Sequence, residues 1–136
     1  MNLEEVIINQ EWKQEIEDSW KRFDDWGYCD KYLKEDITHY LRHTQQGQEF
    51  LDAIWHMSKT AFDSDREVQV VIDNKNKLFI TFGTAGFVWF HDSEEVNGMQ
   101  MPIKCWIHTH PFGKAYFSGT DWNTINTYEP VMNSAI

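Results

Sequence analysis

The sequence predicts an α/β fold of the α+β kind, helical in its first part and strand-rich in its second, on three observations. Apolar residues recur at helical spacings through the first 60 residues. From residue 61 the pattern changes to short runs of β-branched and aromatic residues separated by polar turns. The chain has 136 residues, 41% of them hydrophobic and 15% aromatic, which suffices for one compact core and not for two. Residues 1–60 are read as a helical N-terminal extension that packs on a core formed by residues 61–136.

The elements follow in order. Between Leu3 and Trp26 the residues Val6, Trp12, Ile16, Trp20 and Phe23 form an apolar stripe among acids and lysines, so an amphipathic helix is expected, ended by Gly27. A second helical stretch carries Leu33, Ile37, Tyr40 and Leu41. A third, after Gly47, carries Phe50, Leu51, Ile54 and Trp55. EVQVVID, the polar turn NKNK and LFITF read as a hairpin. GFVWF is a further strand, DSEEVNG a loop, and PIKCWIHTH a strand opened by Pro102, where a missing N–H is tolerated. Ser118 is placed to cap the helix SGTDWNTINTYE. Asp121 lies in its first turn, where an acid suits the helix dipole. Pro130 stops that helix, and VMNSAI begins one more strand.

Charge and cysteine content narrow the function classes. With 22 Asp and Glu against 12 Lys and Arg the net charge is -10, so phosphate backbones are repelled and no nucleic-acid partner is expected. A protein substrate with a basic face suits this sign. Cys29 and Cys105 stand in unlike contexts and form neither a disulfide framework nor a CxxC site, so both read as reduced thiols. The N-terminus carries acids where a signal peptide needs positive charge. No apolar run approaches the roughly 18 residues of a membrane span. No membrane association is expected, and the setting is the cytoplasm, or the host cytoplasm for a virus-encoded protein.

The chemistry lies in HTHPFGKAYFSGTD. Successive side chains of a strand alternate faces, so His108 and His110 point the same way and form a two-nitrogen clamp. Asp121, from the first turn of the following helix, is a third oxygen donor. Three protein ligands leave one tetrahedral position of a zinc ion open, as catalytic sites require. Without a metal the same residues would be two polar side chains on a solvated face and a helix cap. His39 and His43, four apart on one helix face, lack a third partner and read as surface histidines.

HxHP, then six residues, then SxxD resembles the JAMM or MPN+ metallopeptidase signature at every required position. The flanks CWIHTHP and AYFSGTD are closest to its endosome-associated deubiquitinase branch, although the chain shows no Cys and His insert for that branch's second, structural zinc. The resemblance covers residues 60 to 136. It implies a cytidine-deaminase-like curved mixed sheet flanked by helices, with one catalytic zinc per chain on His108, His110 and Asp121. It further implies that Ser118 donates to the oxyanion and that an upstream glutamate, at the start of a strand after a helix, acts as general base on a zinc-activated water. Glu67, which opens EVQVVID, fits that description; Glu49, Glu94 and Glu95 are its rivals.

The implied reaction is hydrolysis of an amide or isopeptide bond at the C-terminal tail of ubiquitin or a ubiquitin-like protein. Relatives of the family also act on sulfur-carrier, phage-tail and cell-wall substrates, and metal-free MPN scaffolds serve only assembly. Scaffolds of that kind have usually lost ligand residues, whereas this chain keeps both histidines, the serine and the aspartate. Phe112, Tyr116, Phe117 and Trp122 could line a groove for an extended tail, or simply pack in the core. Barrel hydrolases with a strand HxH need about 250 residues and are excluded by length. The family continues past a position such as Ile136 with a core strand, so a fragment or a trimmed member is expected.

Overall fold

The computed structural model describes residues 3–28, 37–60, 67–82, 98–100, 102–111 and 135–136. They form a mixed α+β architecture of three helices, α1 (Leu3–Asp25), α2 (Thr38–His43) and α3 (Gln45–Thr60), and three strands, β1 (Val68–Ile72), β2 (Leu78–Phe82) and β3 (Cys105–His108). The strands make one antiparallel sheet in the order β2-β1-β3. Among the described residues no helix is long and apolar enough to cross a membrane.

The apolar stripe of α1 buries Ile16, Trp20 and Phe23, at the i, i+4, i+7 spacing that defines one helix face. The helix ends as expected at Gly27, whose φ of +74° is open to glycine without a Cβ penalty. In α3 the buried set is Phe50, Ala53, Ile54 and Met57. These faces meet Val70, Ile72, Ile80, Cys105 and Ile107 from one side of the sheet in a single core, so the helical region and the strands share their burial. The Trp20 indole N–H also donates to the Asn76 carbonyl at 3.1 Å, tying α1 to the hairpin turn.

The third helix does not wait for Gly47. It starts at Gln45, because Thr44 closes α2 and caps α3 at once: its hydroxyl donates to the Tyr40 carbonyl at 2.5 Å and accepts from the Gly47 N–H at 3.0 Å. Gly47 is buried in the first turn for steric reasons. A Cβ there would lie 2.5 Å from the Leu41 Cα and the Tyr40 carbonyl oxygen, and it is backbone that would have to move. Gly47→Ala is therefore expected to destabilise the fold by about 2 kcal/mol, overpacking outweighing the helix propensity that alanine adds. A fall in the urea midpoint at unchanged slope would show it; a midpoint equal to or above the parent's would contradict this packing.

The hairpin forms as the sequence predicts, in the register Val70↔Ile80 and Ile72↔Leu78. Its turn is held by the buried Asp73 carboxylate. One oxygen accepts from the Lys75 and Lys77 N–H groups, both at 2.9 Å, and the other from the Gln100 N–H at 3.0 Å. Asn76 takes the left-handed position, with φ +66°, which asparagine tolerates better than most residues.

β3 is shorter than PIKCWIHTH suggests. Pairing begins at Cys105, after an isolated bridge position at Ile103, and the ladder ends at His108. On the edge of β3 away from β1, the Ile136 N–H donates to the Trp106 carbonyl at 2.8 Å and the His108 N–H to the Ile136 carbonyl at 3.0 Å. Ala135 makes a parallel bridge with Trp106. The end of VMNSAI thus lies along β3 in extended form. The segment GFVWF, the proposed helix from Ser118, Leu33 and most of the loop DSEEVNG lie outside the described residues.

Candidate metal centre

The two faces of the sheet separate by residue parity. Val70, Ile80 and Ile107 face the helical core, while Gln69, Val71 and Trp106 lie on the opposite face. On that second face Thr81, Gln69 and His108 stand in one cross-strand row, and Phe79, Val71 and Trp106 in the next. Gln69 links the two rows. Gln69 Nε2 donates to Thr81 Oγ1 at 3.1 Å, and Gln69 Oε1 accepts from the Trp106 indole N–H at 2.7 Å. Both ends of the buried amide are thereby used, and the indole plane is set.

The His108 imidazole lies flat on that indole, with ring centroids 4.3 Å apart and planes 11° from parallel. Its Nδ1 is buried, and Nε2 is the nitrogen that meets His110. Nε2 of His110 approaches Nε2 of His108 to 2.9 Å. The two rings therefore lie on one face, as alternation along a strand predicts, although His110 lies beyond the end of β3. Zinc–nitrogen bonds of about 2.0–2.1 Å at a tetrahedral angle would set two such nitrogens roughly 3.3 Å apart. The observed pair is within a few tenths of an ångström of that separation, so it fits a zinc ion with little movement.

Glu67 immediately precedes β1 and is half-buried. The ladder pairs Gln69 with His108, and the Thr109 N–H donates to the Val68 carbonyl at 3.1 Å, one step further. The same register, extended one step past the last bonded pair, would set Glu67 opposite His110, on the face that carries both imidazoles. Directly opposed residues have Cβ atoms about 5 Å apart, a distance a glutamate can span to a water beside the rings. Among the described residues no group of three or more His, Cys, Asp or Glu is placed to hold a metal.

Of the rival bases, Glu49 lies on α3, where Arg22 contacts it at 3.4 Å and Gln45 donates to it at 3.3 Å. It lines a cavity of about 310 Å³ with Glu15, Asp52 and His56, formed between α1 and α3 and not on the sheet. Glu94, Glu95, Ser118 and Asp121 lie outside the described residues, as do Phe112, Tyr116, Phe117, Trp122 and Cys29. His39 and His43 stand with ring centroids 4.8 Å apart on α2, both exposed. His56 packs edge-on against Trp12.

The structure adds residues that the sequence pattern passes over. Thr109, between the histidines, is buried; its hydroxyl accepts from the Val68 N–H at 2.9 Å and lies 2.7 Å from the buried Ser58 hydroxyl of α3. Lys59 Nζ donates to the Pro111 carbonyl at 3.2 Å. Gln69 and Trp106 orient His108 from the other face. No family model, curated protein or solved structure matches the chain.

Proposed function

We propose that the chain is a zinc-dependent hydrolase of the JAMM type, cleaving an amide or isopeptide bond at the C-terminal tail of a ubiquitin or ubiquitin-like protein in the cytoplasm. The observation that carries this reading is the convergence of His108 and His110 Nε2 at 2.9 Å on the sheet face whose register leads to Glu67. His108, His110 and Asp121 would hold one zinc per chain. The α+β architecture is compatible with a JAMM-like fold, with the N-terminal helices packed on the side of the sheet away from the histidines.

When bound, zinc acidifies a coordinated water and polarises a carbonyl as a Lewis acid. The chain's own residues supply the proton traffic. Glu67 takes a proton from the attacking water, and delivers it to the amine nitrogen as the carbon–nitrogen bond breaks, which makes a poor leaving group expellable. The Ser118 hydroxyl donates to the carbonyl oxygen as negative charge gathers there, a role whose loss costs on the order of 10² to 10³ in rate. Trp106 and Gln69 keep the His108 ring from rotating. The net charge of -10 draws a basic protein surface towards the molecule.

The test is cleavage of a panel of ubiquitin and ubiquitin-like C-terminal tails joined through an amide to a fluorophore. Zinc-loaded protein should cleave at least one tail, lose the activity to a chelator and recover it with zinc. A panel left intact by protein that carries a full zinc complement would reject the substrate class.

A further inference from the structure

Two imidazoles only two residues apart point the same way when the chain between them is extended, yet the β3 ladder stops at His108. What continues it is a set of bonds to Thr109 and Pro111. The Thr109 N–H donates to the Val68 carbonyl at 3.1 Å, and the Val68 N–H donates to the Thr109 hydroxyl at 2.9 Å. Strand parity turns that hydroxyl away from the histidine face and towards α3, where the buried Ser58 hydroxyl meets it at 2.7 Å. One turn-end later, Lys59 Nζ holds the Pro111 carbonyl at 3.2 Å.

From this arrangement we infer that Thr109, fastened by Ser58 and Val68, is the positioning residue that presents both histidine rings to one metal ion. The inference rests on the zinc reading proposed above and deepens it. A threonine hydroxyl has one proton and two acceptor lone pairs, enough to serve Val68 and Ser58 together. Valine has the same shape and can serve neither, so the bonds to the buried Val68 N–H and to the Ser58 hydroxyl are both lost. Serine keeps the hydroxyl and loses only a methyl group. The latch also joins the segment after Glu67 to the segment between the ligands, so one side chain fixes base and ligands relative to each other.

The experiment is competition for Zn²⁺ between a chelating dye and the full chain, in the parent, Thr109→Val and Thr109→Ser, each shown by circular dichroism to be folded without metal. Thr109→Val should weaken the zinc dissociation constant by about 10- to 100-fold, as lost ligand support does elsewhere, while Thr109→Ser stays within about threefold of the parent. A folded Thr109→Val protein that binds zinc as tightly as the parent overturns the inference, even if its unfolding midpoint falls, because a purely structural threonine moves stability and not affinity. Should Thr109→Val not fold, Ser58→Ala takes its place: about tenfold weaker binding supports the latch and unchanged affinity overturns it. A parent protein that takes up no zinc overturns the zinc reading itself and this inference with it, whereas failure of the latch alone leaves parent binding intact.

Discussion

Glu67→Gln is expected to keep about one zinc per chain and to lose hydrolysis by on the order of 10² to 10⁴, the range that general acid–base groups contribute. The amide is nearly isosteric with the carboxylate and cannot take a proton from water. It also leaves both imidazoles in place, because the proposed zinc ligands are His108, His110 and Asp121. Glu67 immediately precedes the strand that pairs with His108, whereas Glu49 is engaged with Arg22 on the helical layer. Glu49→Gln should accordingly leave turnover within about twofold of the parent, as for an exposed residue remote from the reacting atoms. Undiminished turnover in Glu67→Gln, measured on the tail substrate that the parent cleaves best, would remove Glu67 from the mechanism.

The second large effect is expected at the ligands. His110→Ala should weaken zinc binding by more than about 100-fold, since loss of a mere supporting contact already costs 10- to 100-fold and this change removes a coordinating nitrogen. His110 is the cleaner position because it is half-buried and lies past the end of β3. His108→Ala would strip the same affinity, but it also takes away the ring that lies on Trp106 and opens a gap in a packed face, so its stability should fall too. Equilibrium dialysis against a zinc buffer reads both effects. Retention of parent affinity in His110→Ala would place the ion elsewhere.

Much of the frame is legible from local pattern. Ile16, Trp20 and Phe23 announce a helix because burial on one face recurs with the helical period, and Gly27 ends it because few other residues accept its φ. The hairpin is legible from its polar turn. Gly47 misleads, since glycine usually marks a boundary, whereas here a close approach of α2 to α3 requires it inside the helix. Thr44 carried the true start signal, a capping hydroxyl three residues ahead of the N–H it accepts.

At the site, alternation along a strand is enough to predict that His108 and His110 share a face. Nothing local predicts Ser58 on Thr109, a contact between residues 51 apart in sequence, or Gln69 on Trp106, 37 apart. Such contacts depend on the register between strands and on where α3 meets the sheet, and neither is written in any one segment. Glu67 likewise gains its place next to the histidine strand only through the pairing of Gln69 with His108.

Zinc K-edge X-ray absorption on the full chain, loaded with one equivalent of zinc and compared with His110→Ala, tests the central claim most directly. The account predicts a four-coordinate first shell at about 2.0–2.1 Å in which two imidazoles give their characteristic outer-shell scattering, reduced to one in the variant. A parent protein that retains no stoichiometric zinc, or a parent spectrum that His110→Ala leaves unchanged, would contradict it.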